Sequence, residues 1–489
     1  MTARPATHPA RAVAERFDSI FNHAGQSSCD REFVLTGYVS MPEKDLTHVI
    51  NHDLCIGCGA CAMADPSLDL VLHPRKLMYE PSGKGNEAAA SVCPSVHVDF
   101  KGLQDRLFPG ASSGPLGVVD SVLLAQSTDE PRNLRSSSGG LVKEMLIEFL
   151  SRGDVDGAIA LDRVRGLLFK PRLITKVEEV DRLPGSIYQN VPFGDALRLL
   201  SQNEGCFVLV ANPCQLEGIY SYIFRFRPEL AARIHTTIGL VCGWTYSHHA
   251  VKAICEYKGI DFCKIEDIGF RGGGPVGRLR IVTAEKQSAI HRRVDYSYQV
   301  AFDRSFNLPR CHYCVDHGNY LAEVVVADAW LPGTVGTKTG ISLVVSRTGR
   351  ITRFLQDLHA RGKIRTTAVS EAEVIESQTH RVAFGDFAYA YMDYARENGG
   401  YVPDMVAPNR QGAHLVSRKE VARFHRETQR KIALQRQGRY RFLWWRKITV
   451  EFRAFACRYL RWFFVRVLRV KSLLGLRKEV PRSKLAGFR

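Results

Sequence analysis

Three cysteines with short, regular spacing could bind an iron–sulfur cluster. Cys55, Cys58 and Cys61 form a Cys-x2-Cys-x2-Cys run within the segment CIGCGAC. Such a run lets three thiolates from one tight loop ligate a cubane cluster, and the intervening glycines admit the backbone turns. Bacterial ferredoxins continue the run with x3-Cys-Pro, but Asp65 and Pro66 stand at that place here. A fourth ligand must therefore come from elsewhere in the chain.

Cys93 is the favoured fourth ligand because it is followed by Pro94. A Cys-Pro distant from its run has precedent in two-cluster ferredoxins, where it serves the other cluster. Asp65 is the less favoured alternative. Four thiolates also suit tetrahedral zinc, so a zinc knuckle stays open, although the spacing favours a 4Fe–4S cluster.

Four further cysteines could complete a second thiolate site. Cys311 and Cys314 form a Cys-x2-Cys pair, which needs two more ligands to close a metal site. Cys214 and Cys242 each follow an apolar, strand-like run and could supply them. The alternatives are a redox-active dithiol and small buried residues with no ligand role.

A turn rich in serine and glycine, residues 136–140, precedes a predicted helix. The following segment LVKEMLIEFLSRG has apolar residues at helical spacing and ends at Gly153. Free backbone N–H groups and hydroxyls where such a turn opens a helix can bind a phosphate. A serine N-cap with flexible glycines is the alternative.

Apolar runs predict the strands that position several of these residues. The segments CFVLVANPC, TTIGLVCGW and AEVVVADAW indicate buried strands that end near Cys214, Cys242 and Asp328. Ligands of open α/β sheets bind outside the carboxyl ends of the strands, so we expect these residues to converge. We predict that Asp328 is a polar group at the catalytic site, and a structural carboxylate is the alternative.

Taken in order, the motifs resemble the family of coenzyme F420 hydrogenase/dehydrogenase beta subunits, to which hydroxymethyl chlorophyll a reductase and divinyl chlorophyllide reductase are related. They span about residues 50–350. The matching segments are CIGCGAC with Cys93–Pro94, LRSSSGGLVKEML, GDVDGAIAL, LPGSIYQN, VLVANPCQLEGI, IGLVCGW, GFRGG, CHYCVDHGNYLAEVVVADAW and GISLVVSRTG. The family commonly has Gly-Asp-aromatic-Trp where this chain has Ala327-Asp328-Ala329-Trp330.

The resemblance implies a flavoprotein that holds FAD or FMN and one or two 4Fe–4S clusters. Its second cluster would use the cysteines at 214, 242, 311 and 314. The residues carried over as flavin contacts are Ser137, Ser138, Gly139, Gly140, Ser186, Tyr188 and Asn190.

The resemblance also implies an oxidoreductase function. Electrons would come from ferredoxin or a partner redox subunit, pass through the clusters and the flavin, and reach an organic acceptor such as the deazaflavin coenzyme F420. The alternative is an electron-transfer subunit of a larger hydrogenase or dehydrogenase complex that has no acceptor site of its own.

The expected fold class is α/β, or α+β, with a small ferredoxin-like iron–sulfur module and a central mixed α/β flavin-binding domain. The chain has 489 residues, of which 45% are hydrophobic and 24% are charged, and this composition excludes a mainly disordered or fibrous protein. The predicted units are an N-terminal extension (1–49), the iron–sulfur module (50–105), the flavin-binding domain (106–409) and a basic helical tail (410–489).

The tail carries the whole excess of positive charge. It has 23 Lys and Arg against 4 Asp and Glu, whereas the first 409 residues have 44 against 46. Arginines interleaved with a bulky aromatic face over residues 430–470 favour a helix that lies on an anionic membrane. Docking to a partner subunit is the main alternative, and nucleic-acid binding is the weakest. With no apolar run of ~18 residues and no apolar signal segment, we expect a cytoplasmic protein, peripheral on the inner face of the membrane.

Overall fold

The computed structural model describes residues 45–274, 277–302, 304–334, 337–406 and 416–449. Its strands are β1 (Leu70–Leu72), β2 (Tyr79–Pro81), β3 (His97–Asp99), β4 (Ser113–Gly114), β5 (Gly117–Val118), β6 (Ser121–Ser127), β7 (Gly157–Arg165), β8 (Leu168–Ile174), β9 (Phe207–Ala211), β10 (Ile234–Leu240), β11 (Ile265–Gly269), β12 (Arg278–Thr283), β13 (Gln287–His291), β14 (Val324–Asp328), β15 (Ser342–Ser346), β16 (Ile364–Ala368) and β17 (Asp404–Val406).

The helices alternate with these strands through most of the chain. They are α1 (Thr47–Asn51), α2 (Ala60–Ala64), α3 (Glu87–Ser91), α4 (Phe100–Leu107), α5 (Glu130–Arg135), α6 (Leu141–Arg152), α7 (Val177–Val180), α8 (Asp195–Gln202), α9 (Pro213–Phe226), α10 (His249–Lys258), α11 (Tyr296–Ala301), α12 (Gly349–Ala360), α13 (Glu371–Ser377), α14 (Thr379–Glu397) and α15 (Arg418–Arg436). Residues 440–449 are also helical.

A mixed sheet of eight strands forms the centre of the fold, in the order β16-β6-β15-β14-β10-β9-β7-β8. The four strands β14, β10, β9 and β7 run parallel, and the strands outside them pair antiparallel. Successive side chains of a strand point to opposite faces. Accordingly, Val208 joins the core formed with Met145 of α6 and Leu355 of α12, whereas Leu209 joins the core formed with Leu216 of α9.

The predicted helix after the serine- and glycine-rich turn is confirmed as α6. Gly140 precedes it with φ of 76° and Gly153 ends it with φ of 70°. Both are left-handed conformations that glycine adopts without steric cost. The predicted buried strands are confirmed as β9, β10 and β14, although β10 ends at Leu240, two residues before Cys242.

The region predicted as the iron–sulfur module has a core of its own and is completed by residues 401–406. Leu46, Leu54 and Met78 lie in this small core with the cysteines. Strand β17 pairs in parallel with β3, and the Tyr401 hydroxyl donates to the Ser95 carbonyl at 2.9 Å. Residues after 400 therefore complete the module that begins near residue 50.

The described part of the tail packs on the body. Tyr440 and Leu443 are buried in the main core, and Arg436 of α15 forms an ion pair with Asp53. The predicted aromatic membrane face lies mostly in residues 450–489, outside the described residues, as does most of the N-terminal extension. Among the described helices, none combines the length and the apolar character needed to cross a membrane.

Candidate metal centres and active-site cavity

The loop that carries the first three cysteines needs glycine at two positions. Gly57 and Gly59 have φ of 76° and 78°. A Cβ at Gly57 would lie 2.4 Å from the Val191 carbonyl oxygen, and one at Gly59 would lie 2.2 Å from the Gly194 Cα. The loop is therefore pressed against the segment before α8, and backbone geometry and packing both exclude larger residues.

Cys55, Cys58, Cys61 and Cys93 are buried and line one small, mostly apolar cavity. Burial raises the pKa of the Cys58 thiol to about 12 and that of Cys93 to about 11, and it raises the pKa of the other two well above the ordinary value. The Gly57 N–H donates to the Cys55 Sγ at 3.4 Å. Four buried thiols around one cavity, with a backbone donor already directed at sulfur, fit an iron–sulfur cluster.

The Asp65 carboxylate is hydrogen-bonded to Ser67, which disfavours it as the fourth ligand. It accepts hydrogen bonds from the Ser67 N–H at 3.1 Å and the Ser67 hydroxyl at 2.7 Å, which lower its pKa. Among the residues that the structure describes, no three His, Cys, Asp or Glu side chains come close enough to bind one metal ion. Four thiolates that bind one zinc ion must all lie about 2.3 Å from the same metal. In a 4Fe–4S cluster each thiolate binds a different iron, so the sulfurs can lie farther apart. The Cys-x2-Cys-x2-Cys spacing along the chain is what favours a cluster over zinc.

The second set of four cysteines also converges in the structure. Cys214 opens α9, Cys242 follows β10, and Cys311 and Cys314 lie in and just after the short 3-10 helix Pro309–Tyr313. Burial raises the pKa of Cys214 well above its ordinary value, and Glu217, Cys242 and the other two cysteines add to this effect. The Thr245 N–H donates to the Cys311 Sγ at 3.4 Å.

A cavity of about 260 Å³ lies at the carboxyl ends of β9, β10 and β14. These three strands are parallel neighbours, so the position is the one expected for a ligand of an α/β sheet. Cys242 forms part of the wall, which places the cavity next to the second group of cysteines. Of the predicted cofactor and catalytic residues, those that line it are Ser137, Ser138, Gly140, Ser186, Tyr188 and Asp328.

The serine-rich turn is held by its own hydrogen bonds. The Ser137 hydroxyl oxygen accepts from the Ser186 N–H at 2.7 Å, and the Ser138 hydroxyl donates to the Ile341 carbonyl at 2.9 Å. These bonds join the turn before α6 to Ser186 in the cavity wall and to Ile341, the residue that precedes β15. A ligand phosphate would therefore meet a preorganised turn at the N-terminal end of α6.

Two predicted flavin contacts do not line the cavity. The Gly139 N–H donates to the Ser342 hydroxyl at 3.0 Å, and a Cβ on Gly139 would lie 2.6 Å from the Ala125 carbonyl oxygen. Gly139 is thus a packing glycine. The Asn190 amide nitrogen donates to the Ile56 carbonyl at 3.0 Å, and its oxygen accepts from the Tyr79 N–H. Asn190 supports the cysteine loop, so the prediction that these two residues contact flavin is not supported by their placement.

Asp328 forms an ion pair that the sequence analysis missed. Its carboxylate accepts from Arg271 Nη1 at 2.7 Å, and that nitrogen also lies 3.5 Å from the Tyr188 hydroxyl. Burial disfavours the charge on Arg271, but Tyr188 and Asp328 raise its pKa overall. The GFRGG motif contained the signal for Arg271, although nothing in the sequence paired it with Asp328.

Lys143 is a second missed residue. It lies in the first turn of α6, lines the cavity and is buried. Burial lowers its pKa to about 8. Its ammonium donates to the Asp181 carbonyl at 3.0 Å. A lysine in the first turn of a predicted helix, three residues after a glycine turn, was the available signal.

Comparison with known proteins yields three family matches within the chain. The N-terminal and C-terminal domains of the coenzyme F420 hydrogenase/dehydrogenase beta subunit match residues 122–198 and 206–372. A 4Fe–4S binding domain matches residues 48–64, which include the first three cysteines.

Three curated relatives are similar over more than half of the chain. One subunit of the F(420)H(2) dehydrogenase of Methanosarcina mazei is 25% identical over 63% of this chain and 83% of its own length. Coenzyme F420-dependent sulfite reductase of Methanocaldococcus jannaschii is 25% identical over 63% of this chain, but only 46% of its own length is matched. The beta subunit of the coenzyme F420 hydrogenase of Methanosarcina barkeri is 22% identical over 53% of this chain and 85% of its own length.

Among solved structures, a chain of the F420-reducing NiFe hydrogenase complex from Methanosarcina barkeri is 17% identical, with a TM-score of 0.46. The match covers 60% of this chain and 98% of that chain.

Proposed function

Because this chain belongs to the family of coenzyme F420 hydrogenase/dehydrogenase beta subunits, we propose that it is an iron–sulfur flavoprotein oxidoreductase. It exchanges electrons between a redox partner, either ferredoxin or a partner subunit, and an organic acceptor. Coenzyme F420 is the first acceptor to test, since three curated relatives carry it in their names. The proposal includes two 4Fe–4S clusters, one for each group of four cysteines, and FAD or FMN in the cavity.

One observation carries the proposal. The cavity at the strand ends shares Cys242 with the second group of cysteines, so a bound organic cofactor would lie beside sulfur ligands. A subunit that only relays electrons needs no such cavity. The cavity therefore favours a chain with its own acceptor site over the alternative of an electron-transfer subunit without one.

When bound, the clusters would supply one-electron carriers and the flavin would couple them to two-electron chemistry. The chain's own residues bind and orient these groups. Gly140 and the serines at 137 and 138 present the N-terminal end of α6 to a phosphate, and Lys143 adds a positive charge. Arg271 donates to Asp328 and lies beside the Tyr188 hydroxyl, and this ion pair holds Asp328 in one orientation in the cavity wall. Asp328 accepts from a cation there and can hold a proton-bearing group of the acceptor.

Anaerobic purification tests the proposal directly. Iron, sulfide, zinc and flavin are measured on the full chain, and visible spectra are recorded before and after dithionite. We expect about eight irons, about one flavin and reduction of coenzyme F420. Cys214→Ser is expected to lower the iron content by half, whereas Cys206→Ser, outside both cysteine groups, leaves it unchanged.

Different outcomes overturn different parts of the proposal. Four irons with flavin would remove the second cluster and return the four later cysteines to structural or dithiol roles. Zinc without flavin would contradict the redox function altogether. The protein could also contain all its cofactors and yet reduce no acceptor until a copurifying subunit is added back. That result would favour the alternative of an electron-transfer subunit.

A further inference from the structure

A buried ion pair lies between the two groups of cysteines. Arg310 Nη2 donates to Glu217 Oε2 at 3.0 Å and to the Pro94 carbonyl at 3.1 Å. Both residues are almost fully buried, at 1% and 0% relative exposure. Burial on this scale is costly for two charges unless their remaining polar atoms are satisfied.

Arg310 is connected to both groups of cysteines through the residues next to them. Pro94 follows Cys93 of the first group, so the guanidinium is held at one edge of that group. On the other side, Arg310 directly precedes Cys311, and its charge lowers the pKa of that thiol. It lowers the pKa of Cys93 as well, although burial dominates at both cysteines.

Glu217, on helix α9, also lies between the two groups of cysteines. It lies three residues after Cys214, and its charge adds to the burial that raises the pKa of Cys58 in the first group. The next residue, Gly218, is so close to the first group that a Cβ there would lie 2.7 Å from the Cys58 Sγ. Helix α9 thus carries a ligand candidate of one group and contacts the other.

Three polar atoms of the pair have no hydrogen-bond partner among the described residues. They are Arg310 Nε, Arg310 Nη1 and Glu217 Oε1, and all are buried. Leaving charged donors unpaired in the interior is unfavourable, so buried polar groups are nearly always satisfied. Two clusters would bring thiolate and sulfide sulfurs to this place, and these accept N–H donors. They would satisfy Arg310 Nε and Nη1, but not the Glu217 oxygen, which is itself an acceptor.

We infer that Arg310 is a positioning residue that donates hydrogen bonds to sulfurs of both clusters, while Glu217 fixes the orientation of its guanidinium. One cation thereby raises the reduction potentials of two clusters together, because a positive donor stabilises the more negative, reduced form of each. This inference rests on the two clusters of the proposed function.

The test is a redox titration of the full chain, purified anaerobically and monitored by electron paramagnetic resonance. Arg310→Met removes the donor, and we expect both potentials to fall while the iron content stays at the wild-type level. Arg310→Lys keeps the charge and loses the planar fork, so a smaller fall in both potentials is expected. Arg233→Lys is the control, because Arg233 clamps backbone carbonyls of residues 200, 201 and 203, away from the cysteines.

The wild-type iron count and the variant potentials address separate questions. Fewer than about eight irons in the wild type would overturn the two-cluster proposal, and this inference with it, before any variant is made. Full iron with wild-type potentials in Arg310→Met would overturn the inference alone and leave the proposed function intact. If Arg310→Met fails to assemble, Arg310→Lys decides, and unchanged potentials in that variant contradict the role assigned to Arg310.

Discussion

The cavity should lose affinity for a flavin phosphate as pH rises above about 8, because Lys143 loses its proton there. Burial lowers the pKa of this lysine to about 8 in the ligand-free chain. A phosphate that contacts the ammonium favours its charged form, so binding and protonation are linked. From pH 7 to pH 9 the protonated fraction of the free lysine falls roughly tenfold, and the dissociation constant should rise by about the same factor.

Charged neighbours on the elements around Lys143 do not mask this effect. Arg132 and Arg135 keep their charge throughout the range. The Asp181 carboxylate is already ionised, because hydrogen bonding to Arg132 lowers its pKa despite the opposing effect of burial. The pKa of Lys143 is about 8 in the folded chain and 10.5 as its ordinary value, so between these pH values the unfolded chain binds more protons than the folded chain. The free energy of unfolding therefore rises with pH across this range as far as Lys143 is concerned. Weaker binding at pH 9 therefore cannot be ascribed to unfolding driven by this residue.

The assay is a fluorescence titration of FMN and FAD with flavin-depleted protein at pH 7, 8 and 9. Lys143→Arg keeps its charge across this range and should bind with little pH dependence. Lys143→Met should bind weakly at every pH. The reasoning is refuted if wild-type affinity is unchanged from pH 7 to pH 9, or if Lys143→Arg loses affinity as steeply as the wild type.

Three other predictions follow from the geometry. Gly59→Ala should lower the iron content because its Cβ would lie 2.2 Å from the facing backbone, while Gly83→Ala, with only a 3.6 Å contact, should leave iron unchanged. Arg271→Gln should reduce the rate of acceptor reduction by about 10- to 100-fold, the equivalent of a charged hydrogen bond of ~1.5–3 kcal/mol. Arg280→Gln is the control, because Arg280 pairs with Asp267 outside the cavity lining, and an equal loss in both would count against the assigned role. Truncation after Thr449 should release the protein from anionic vesicles with its visible spectrum intact, and unchanged sedimentation with vesicles would rule out the membrane role.

The loop of the first cluster was predictable because its signal is local. The spacing of Cys55, Cys58 and Cys61 requires one tight turn, and the positive φ angles of Gly57 and Gly59 are what such a turn needs. That Cys93 lies beside the other three cysteines was suggested only by the proline that follows it. What the sequence could not predict is the closure of the module by β17 and α15, since contacts between residues more than 300 positions apart leave no local pattern.

The position of the cavity was predictable, but its residue list was not. Parallel strands that end together place Cys242 and Asp328 at one edge of the sheet, as the apolar runs indicated. Side-chain partners are set by tertiary packing, so neither the ion pair of Arg271 with Asp328 nor the burial of Lys143 could be read from spacing. Asn190 was assigned as a flavin contact, with Tyr188, from the family resemblance. Two residues nevertheless suffice to carry the chain from the cavity to the cysteine loop.

That short crossing would hold the proposed flavin and the first cluster in a fixed relation. Residues 186–190 are anchored at Ser186 by the Ser137 hydroxyl, at Tyr188 by Arg271, and at Asn190 by the backbone of the cysteine loop. The wall of the cavity and the support of the first cysteine group therefore belong to one continuous segment. Electron transfer depends on constant distances between the electron carriers. A segment that is hydrogen-bonded at every second residue, at 186, 188 and 190, keeps the cavity wall and the cysteine loop from moving independently. The next residue, Val191, excludes a larger side chain at Gly57, because a Cβ there would lie 2.4 Å from the Val191 carbonyl oxygen.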